Sequence, residues 1–214
     1  MRRVEGVVRK EVVDFGKLLY ERRLVTGLSG NISGRLDEEA MVITPSGRCK
    51  GALKAYDLVR MLIADGRVTA GGKPSTETPF HLAFYKDRKD VGGVVHAHPL
   101  FCTLLSCSGR KVRTDLTPEG LIYLGEVAFV PYATPGSKEL ASNLQRAMMD
   151  HNAFILENHG AIAVGKDVAE AYYRLEAMEF LAEMQVRSEG VGHMTPLAKQ
   201  EVDRISMLSK GSQR

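Results

Sequence analysis

Short apolar strands interleaved with amphipathic helices predict a layered α/β fold. Three observations carry this. Apolar runs of strand length recur along the chain, as AMVIT, VGGVV, EVAFV, AFIL and AIAVG. Between them lie segments whose apolar residues fall at helical spacing. The joints are short and rich in Gly, Pro, Ser and Asn. Strand order does not follow from this pattern, and α/β and α+β arrangements both stay open.

The first helix is expected from Val4 to about Leu24, with Val4, Val8, Val12, Phe15, Leu18 and Leu19 along its apolar face. LSGNISGRL then reads as a loop entering a strand, and residues 40–44 as a second strand closed by Pro45, Ser46 and Gly47. Residues 57–63 read as a strand, TAGGKPSTE as a polar, Gly-rich stretch, and residues 78–86 as a helix. VGGVVHAHP is a strand stopped by Pro99, followed by a helix through Leu105, and residues 108–118 are polar and irregular. EVAFVPY is a strand, and the helix after it takes Ser137 as its N-cap. AFIL and GAIAVG are strands separated by a break at His159–Gly160, and Asp167 opens a long helix that Gly190 and Gly192 end.

With 214 residues, 44% hydrophobic and 26% charged, the chain suits a single domain over 1–214. From about residue 190 a polar helical tail is expected, flexible or part of an interface. A net charge of +3 without blocks of like charge argues against nucleic acid or a membrane surface as partner. Cys49, Cys102 and Cys107 form no CxxC pair, so a reducing, cytoplasmic setting is expected. The basic N-terminus lacks the apolar core of a signal peptide.

His96 and His98 stand two residues apart in a strand, so their side chains share one face. Such a pair could take two positions on one ion, or could simply be two surface histidines. His159, at the end of another apolar strand, adds a third imidazole, and three histidines suit a zinc site with one open position. His81, His151 and His193 read as structural or solvent-facing. Glu77 opens a helix, where a carboxylate favours the helix dipole or serves a nearby metal as base or ligand. Ser29-Gly30-Asn31, Thr44-Pro45-Ser46-Gly47 and Ser75-Thr76 offer hydroxyls and backbone N–H groups that turns use, and that can cradle a phosphate without a lysine. No Walker loop or GxGxxG points to a nucleotide.

In combination GNIS, ITPSG, PSTETPFH, VVHAHP, VPYATPGS and ENHG resemble the class II aldolase and adducin superfamily, and within it the fuculose-phosphate-type aldolases, from about residue 3 to 187. The resemblance implies a three-layer α/β/α domain around a mainly antiparallel sheet. It implies one Zn2+ per subunit on His96, His98 and His159, with Glu77 as acid/base, and phosphate on Gly30, Asn31, Ser46, Gly47, Ser75 and Thr76. The implied reaction is reversible cleavage of a ketose 1-phosphate to dihydroxyacetone phosphate and an aldehyde. The implied assembly is a cytoplasmic homotetramer with active sites between subunits. One position departs from the aldolases. Their tyrosine that protonates the aldehyde oxygen falls near Thr117, where none stands, and Glu119 or Tyr123 could take its role. Glu119 matches a glutamate of the methylthioribulose-phosphate dehydratases. Pro135 falls where the aldehyde end is lined. Epimerases would carry Asp at position 77 and the dehydratases Cys, a related decarboxylase would show a similar metal site, and an adducin-like scaffold would need no ligands.

Overall fold

A computed structural model describes residues 3–212 of the chain. α1 (Glu5–Glu21) buries Val8, Val12 and Leu19. β1 (Asn31–Arg35) and β2 (Ala40–Ile43) form an antiparallel pair. Two single 3-10 turns lead to β3 (Val59–Leu62), shorter than expected because Asp57 turns back to accept from Lys54 N at 2.9 Å. β4 (Val68–Ala70) was not expected and runs into the polar, Gly-rich stretch; it is exposed along its length and has no apolar face to mark it.

α2 (Thr78–Asp87), β5 (Gly93–Ala97) and α3 (Leu100–Cys107) follow. α4 (Pro118–Leu124) was not expected; Thr117 Oγ1 caps it by accepting from Gly120 N at 3.1 Å, and Pro118 opens its first turn. β6 (Val127–Val130) precedes α5 (Lys138–Gln145), whose N-cap is Ser137, as expected. β7 (Ala153–Leu156), β8 (Gly160–Gly165), α6 (Val168–Arg187) and α7 (Lys199–Ser212) complete the order. Asp167 caps α6 by accepting from Glu170 N at 2.8 Å.

The eight strands form one sheet in the order β4-β3-β2-β1-β5-β8-β7-β6. All pairings are antiparallel except β6 with β7. Helices cover both faces of the central strands, which is why β2, β5, β7 and β8 are buried along their whole length rather than alternating. Ala153 and Ile155 of β7 pack in the layer with α1, α3, α4 and α6, while Phe154 and Leu156 pack against α2 and α5. β1 differs: Ile32 joins the α1/α6 layer, so alternation turns Asn31, Ser33 and Arg35 toward α2. That polar strip positions the site.

Candidate active site

Strand pairing brings the pieces together at one end of β5. His96 lies on β5 opposite Asn31 of β1 on one side and Ile162 of β8 on the other. His98 sits just past the strand end, and His159 occupies the turn between β7 and β8. Gly160 makes room for this turn, since a Cβ there would stand 2.6 Å from Ala97 O and 2.7 Å from His98 Cδ2. Gly30 has φ 75°, and a Cβ on it would meet His96 O at 2.8 Å. Only glycine lets the GNIS loop approach the histidine strand so closely.

The three imidazoles place their ligand atoms within 4.8 Å of one another. His96 Nδ1 donates to Ala161 O at 2.9 Å, which turns Nε2 toward the other imidazoles. That Nε2 lies 3.0 Å from His98 Nε2 and 3.1 Å from Glu77 Oε2. His159 Nε2 lies 3.3 Å from Glu77 Oε1. Burial, then the neighbouring His96, pushes His98 down to about 3 and His159 down to about 4, so both stay neutral near pH 7. Neutral imidazoles with converging nitrogens are what a divalent metal takes. Glu77 Oε1 and His159 Nδ1 are buried without a hydrogen-bond partner. Electron-rich atoms crowded in this way fit a cation among them.

Glu77 stands at the N-cap of α2, but its side chain makes no capping bond. It turns to the histidines instead. Burial works against its charge, yet His96 and His159 facing it, with a hydrogen bond from Asn31, hold it well below the usual carboxylate range. Asn31 Nδ2 donates to Glu77 Oε2 at 2.8 Å.

His81 keeps the structural role expected of it and stands behind the site, outside the cluster of three imidazoles. It is fully buried, with Nε2 2.5 Å from Asn31 Oδ1 and Nδ1 2.7 Å from Ser33 Oγ. Tyr85 OH lies 2.8 Å beyond, on Ser33 Oγ. The direction of this chain follows from what each atom can do. Asn31 uses Nδ2 toward the carboxylate, so its Oδ1 accepts from His81 Nε2–H. Burial, then His96, pushes His81 down to about 3, so the ring is neutral and its Nδ1 accepts from Ser33. Ser33 in turn accepts from Tyr85. Nothing local in the sequence marks this chain of bonds, because α2 and β1 meet only in the fold.

The three small-polar loops meet. Ser46 N donates to Lys73 O at 3.0 Å, Ser75 N to Thr44 O at 3.2 Å, and Pro45 bridges Pro74. Ile32 N donates to Thr44 Oγ1 at 3.2 Å, which joins β1 to the second loop. Ser46, Gly47 and Thr76 are exposed, Gly30 is half-buried, and Ser75 and Asn31 are buried. The Pro135–Gly136 turn lies against Thr76, where a Cβ on Gly136 would meet Thr76 O at 2.8 Å.

Glu119 is not brought to this cluster. It is exposed in the first turn of α4, with no hydrogen bond or ion pair to the histidines. Tyr123, on the same helix, lines a groove of about 1010 Å³ with Ile122, Tyr173, Phe180 and Leu208; no histidine of the cluster lines it. No described helix is long and apolar enough to cross a membrane.

Known proteins share this arrangement of strands and helices. The chain is 36% identical to an L-fuculose phosphate aldolase of Methanocaldococcus jannaschii over 176 residues, 82% of this chain and 94% of that one. It is 35% identical to a 3-oxo-tetronate 4-phosphate decarboxylase of Escherichia coli K12 over 186 residues, 85% of this chain and 87% of that one. A solved L-fuculose 1-phosphate aldolase superposes with a TM-score of 0.87 at 32% identity, covering 95% of this chain and 96% of that one. The family described as Class II Aldolase and Adducin N-terminal domain matches residues 10–186, and the chain belongs to it.

Proposed function

We propose that this chain is a zinc-dependent lyase that cleaves a ketose 1-phosphate, of the L-fuculose 1-phosphate kind, to dihydroxyacetone phosphate and an aldehyde. The observation that carries this reading is the meeting of three imidazoles with a carboxylate whose Oε1 has no hydrogen-bond partner. His96, His98 and His159 would hold one zinc ion per subunit, which supplies Lewis acidity toward carbonyl and hydroxyl oxygens. Glu77 moves the proton: it protonates the enediolate carbon left by cleavage and removes that proton in condensation. Asn31 holds Oε2 and leaves Oε1 for this work. Gly30, Asn31, Ser46, Gly47, Ser75 and Thr76 take the phosphate.

Aldol cleavage needs a second group for the aldehyde oxygen. Glu119 is exposed on its own subunit, so it would serve a neighbour's site in a homotetramer, with the apolar groove beside α4 at the interface.

A second reading has its own support. The Escherichia coli relative is named a 3-oxo-tetronate 4-phosphate decarboxylase. Loss of carbon dioxide from such an acid leaves the same enediolate for Glu77 to protonate, and no aldehyde oxygen needs a proton. Among the described residues no second carboxylate stands beside Glu77, which suits this reaction.

One pair of assays separates the two. The zinc-loaded protein is given dihydroxyacetone phosphate with a panel of aldehydes, and separately 3-oxo-tetronate 4-phosphate. New ketose 1-phosphate supports the aldolase. Carbon dioxide release without condensation replaces it with the decarboxylase, and neither product sinks both.

A further inference from the structure

Lys50 opens the first 3-10 turn and is only 2% exposed. A buried ammonium normally has a carboxylate partner. Among the described residues Lys50 has none within ion-pairing distance, and apart from the adjacent Cys49 no acidic group counters the burial that lowers its pKa. Nζ donates to Leu28 O at 3.0 Å and to Arg48 O at 2.6 Å. These bonds use two of its three N–H groups and leave the positive charge uncompensated.

The two carbonyls identify what is missing. Leu28 directly precedes Ser29-Gly30-Asn31, and Arg48 directly follows Ser46-Gly47. The ammonium therefore sits between two loops that present hydroxyls and glycine backbone. A fixed cation without a counter-ion, under two loops built of small polar residues, is half of an anion site.

We propose that Lys50 supplies the counter-charge for the substrate's phosphate and ties together the two loops that hold it. This rests on the reading of those loops as the phosphate site. Lysine suits the position better than arginine, because its compact ammonium fits between two carbonyls while keeping a donor free. A non-phosphorylated analogue would leave the charge buried and unpaired, so Lys50 also selects for phosphorylated substrates.

Inorganic phosphate is the probe, titrated into zinc-loaded protein and followed by calorimetry. Lys50→Gln keeps a donor but loses the charge, and Lys50→Met replaces the side chain with an apolar one of similar length. Both variants are expected to bind phosphate at least tenfold more weakly than the wild type, about 1.4 kcal/mol, with zinc content unchanged. KM for the phosphorylated substrate is expected to rise as much, with kcat within threefold. Phosphate affinity within twofold of wild type in Lys50→Gln would overturn the proposal and leave Lys50 a structural tie. So would the absence of saturable phosphate binding to the wild type, even if that protein is an active lyase. Tight, Lys50-dependent phosphate binding by a wild type that turns over neither substrate would sink the lyase reading and leave Lys50's role standing.

Discussion

His81 Nε2 lies 2.5 Å from Asn31 Oδ1, on the far side of the Asn31 amide from Glu77. With Oδ1 held by the ring, Nδ2 faces Glu77 Oε2 at 2.8 Å. The imidazole thus orients the carboxylate through an intermediary. His81→Leu is expected to lower kcat by roughly 10- to 100-fold, the usual scale for groups that orient a site from behind, while zinc stays bound. His81→Gln, whose amide can still donate to Asn31, is expected to recover part of the loss. Equal kcat in the leucine variant and the wild type would remove His81 from this role.

Glu77→Gln keeps the shape of the side chain and the contact with Asn31 but cannot shuttle a proton. A fall in kcat of about 10²- to 10⁴-fold is expected, the range for a lost general acid/base. Metal analysis should still find one zinc per chain. Loss of zinc together with activity would make Glu77 a ligand first.

Gly160→Ala places a methyl group 2.7 Å from His98 Cδ2 and 2.6 Å from Ala97 O. Zinc affinity is expected to drop at least tenfold, about 1.4 kcal/mol, because His98 must swing away. Competition with a chromophoric chelator measures this, and unaltered affinity would show that the turn adapts.

The metal-free protein should lose stability in acid. His81 and His98 are lowered to about 3 and His159 to about 4, from an ordinary value near 6.5. Between those values and 6.5 the unfolded chain binds more protons than the folded one, so stability falls as pH falls. Glu77, lowered from 4.5, adds a loss in the same direction below that value. Tm of chelator-treated protein is expected to be level above pH 7 and to decline steadily from 6.5 toward 4. A Tm that is flat from pH 7 to 5 would contradict neutral, buried histidines.

Much of this site was legible because its residues stand in short runs of distinctive composition. His96 and His98 at strand spacing, the turn at His159–Gly160 and the serine- and glycine-rich loops can be read locally. His81 was not, because its partners Asn31 and Ser33 lie 50 and 48 residues away. Lys50 escaped for the same reason, since its burial depends on loops that meet only in the fold. Of the elements, α4 could have been found from Thr117-Pro118, a cap followed by a helix-opening proline. The exposed strand β4 and the parallel pairing of β6 with β7 left no local mark.

The central claim is that Glu77, beside a metal held by three histidines, moves a proton at the carbon next to a carbonyl. Hydrogen exchange into dihydroxyacetone phosphate tests it most directly and needs neither aldehyde nor keto acid. In deuterium oxide the zinc-loaded protein is expected to exchange one hydrogen at the carbon bearing the free hydroxyl, with the rate abolished in Glu77→Gln and by chelation. No exchange by the zinc-loaded wild type, or undiminished exchange in Glu77→Gln, would contradict it.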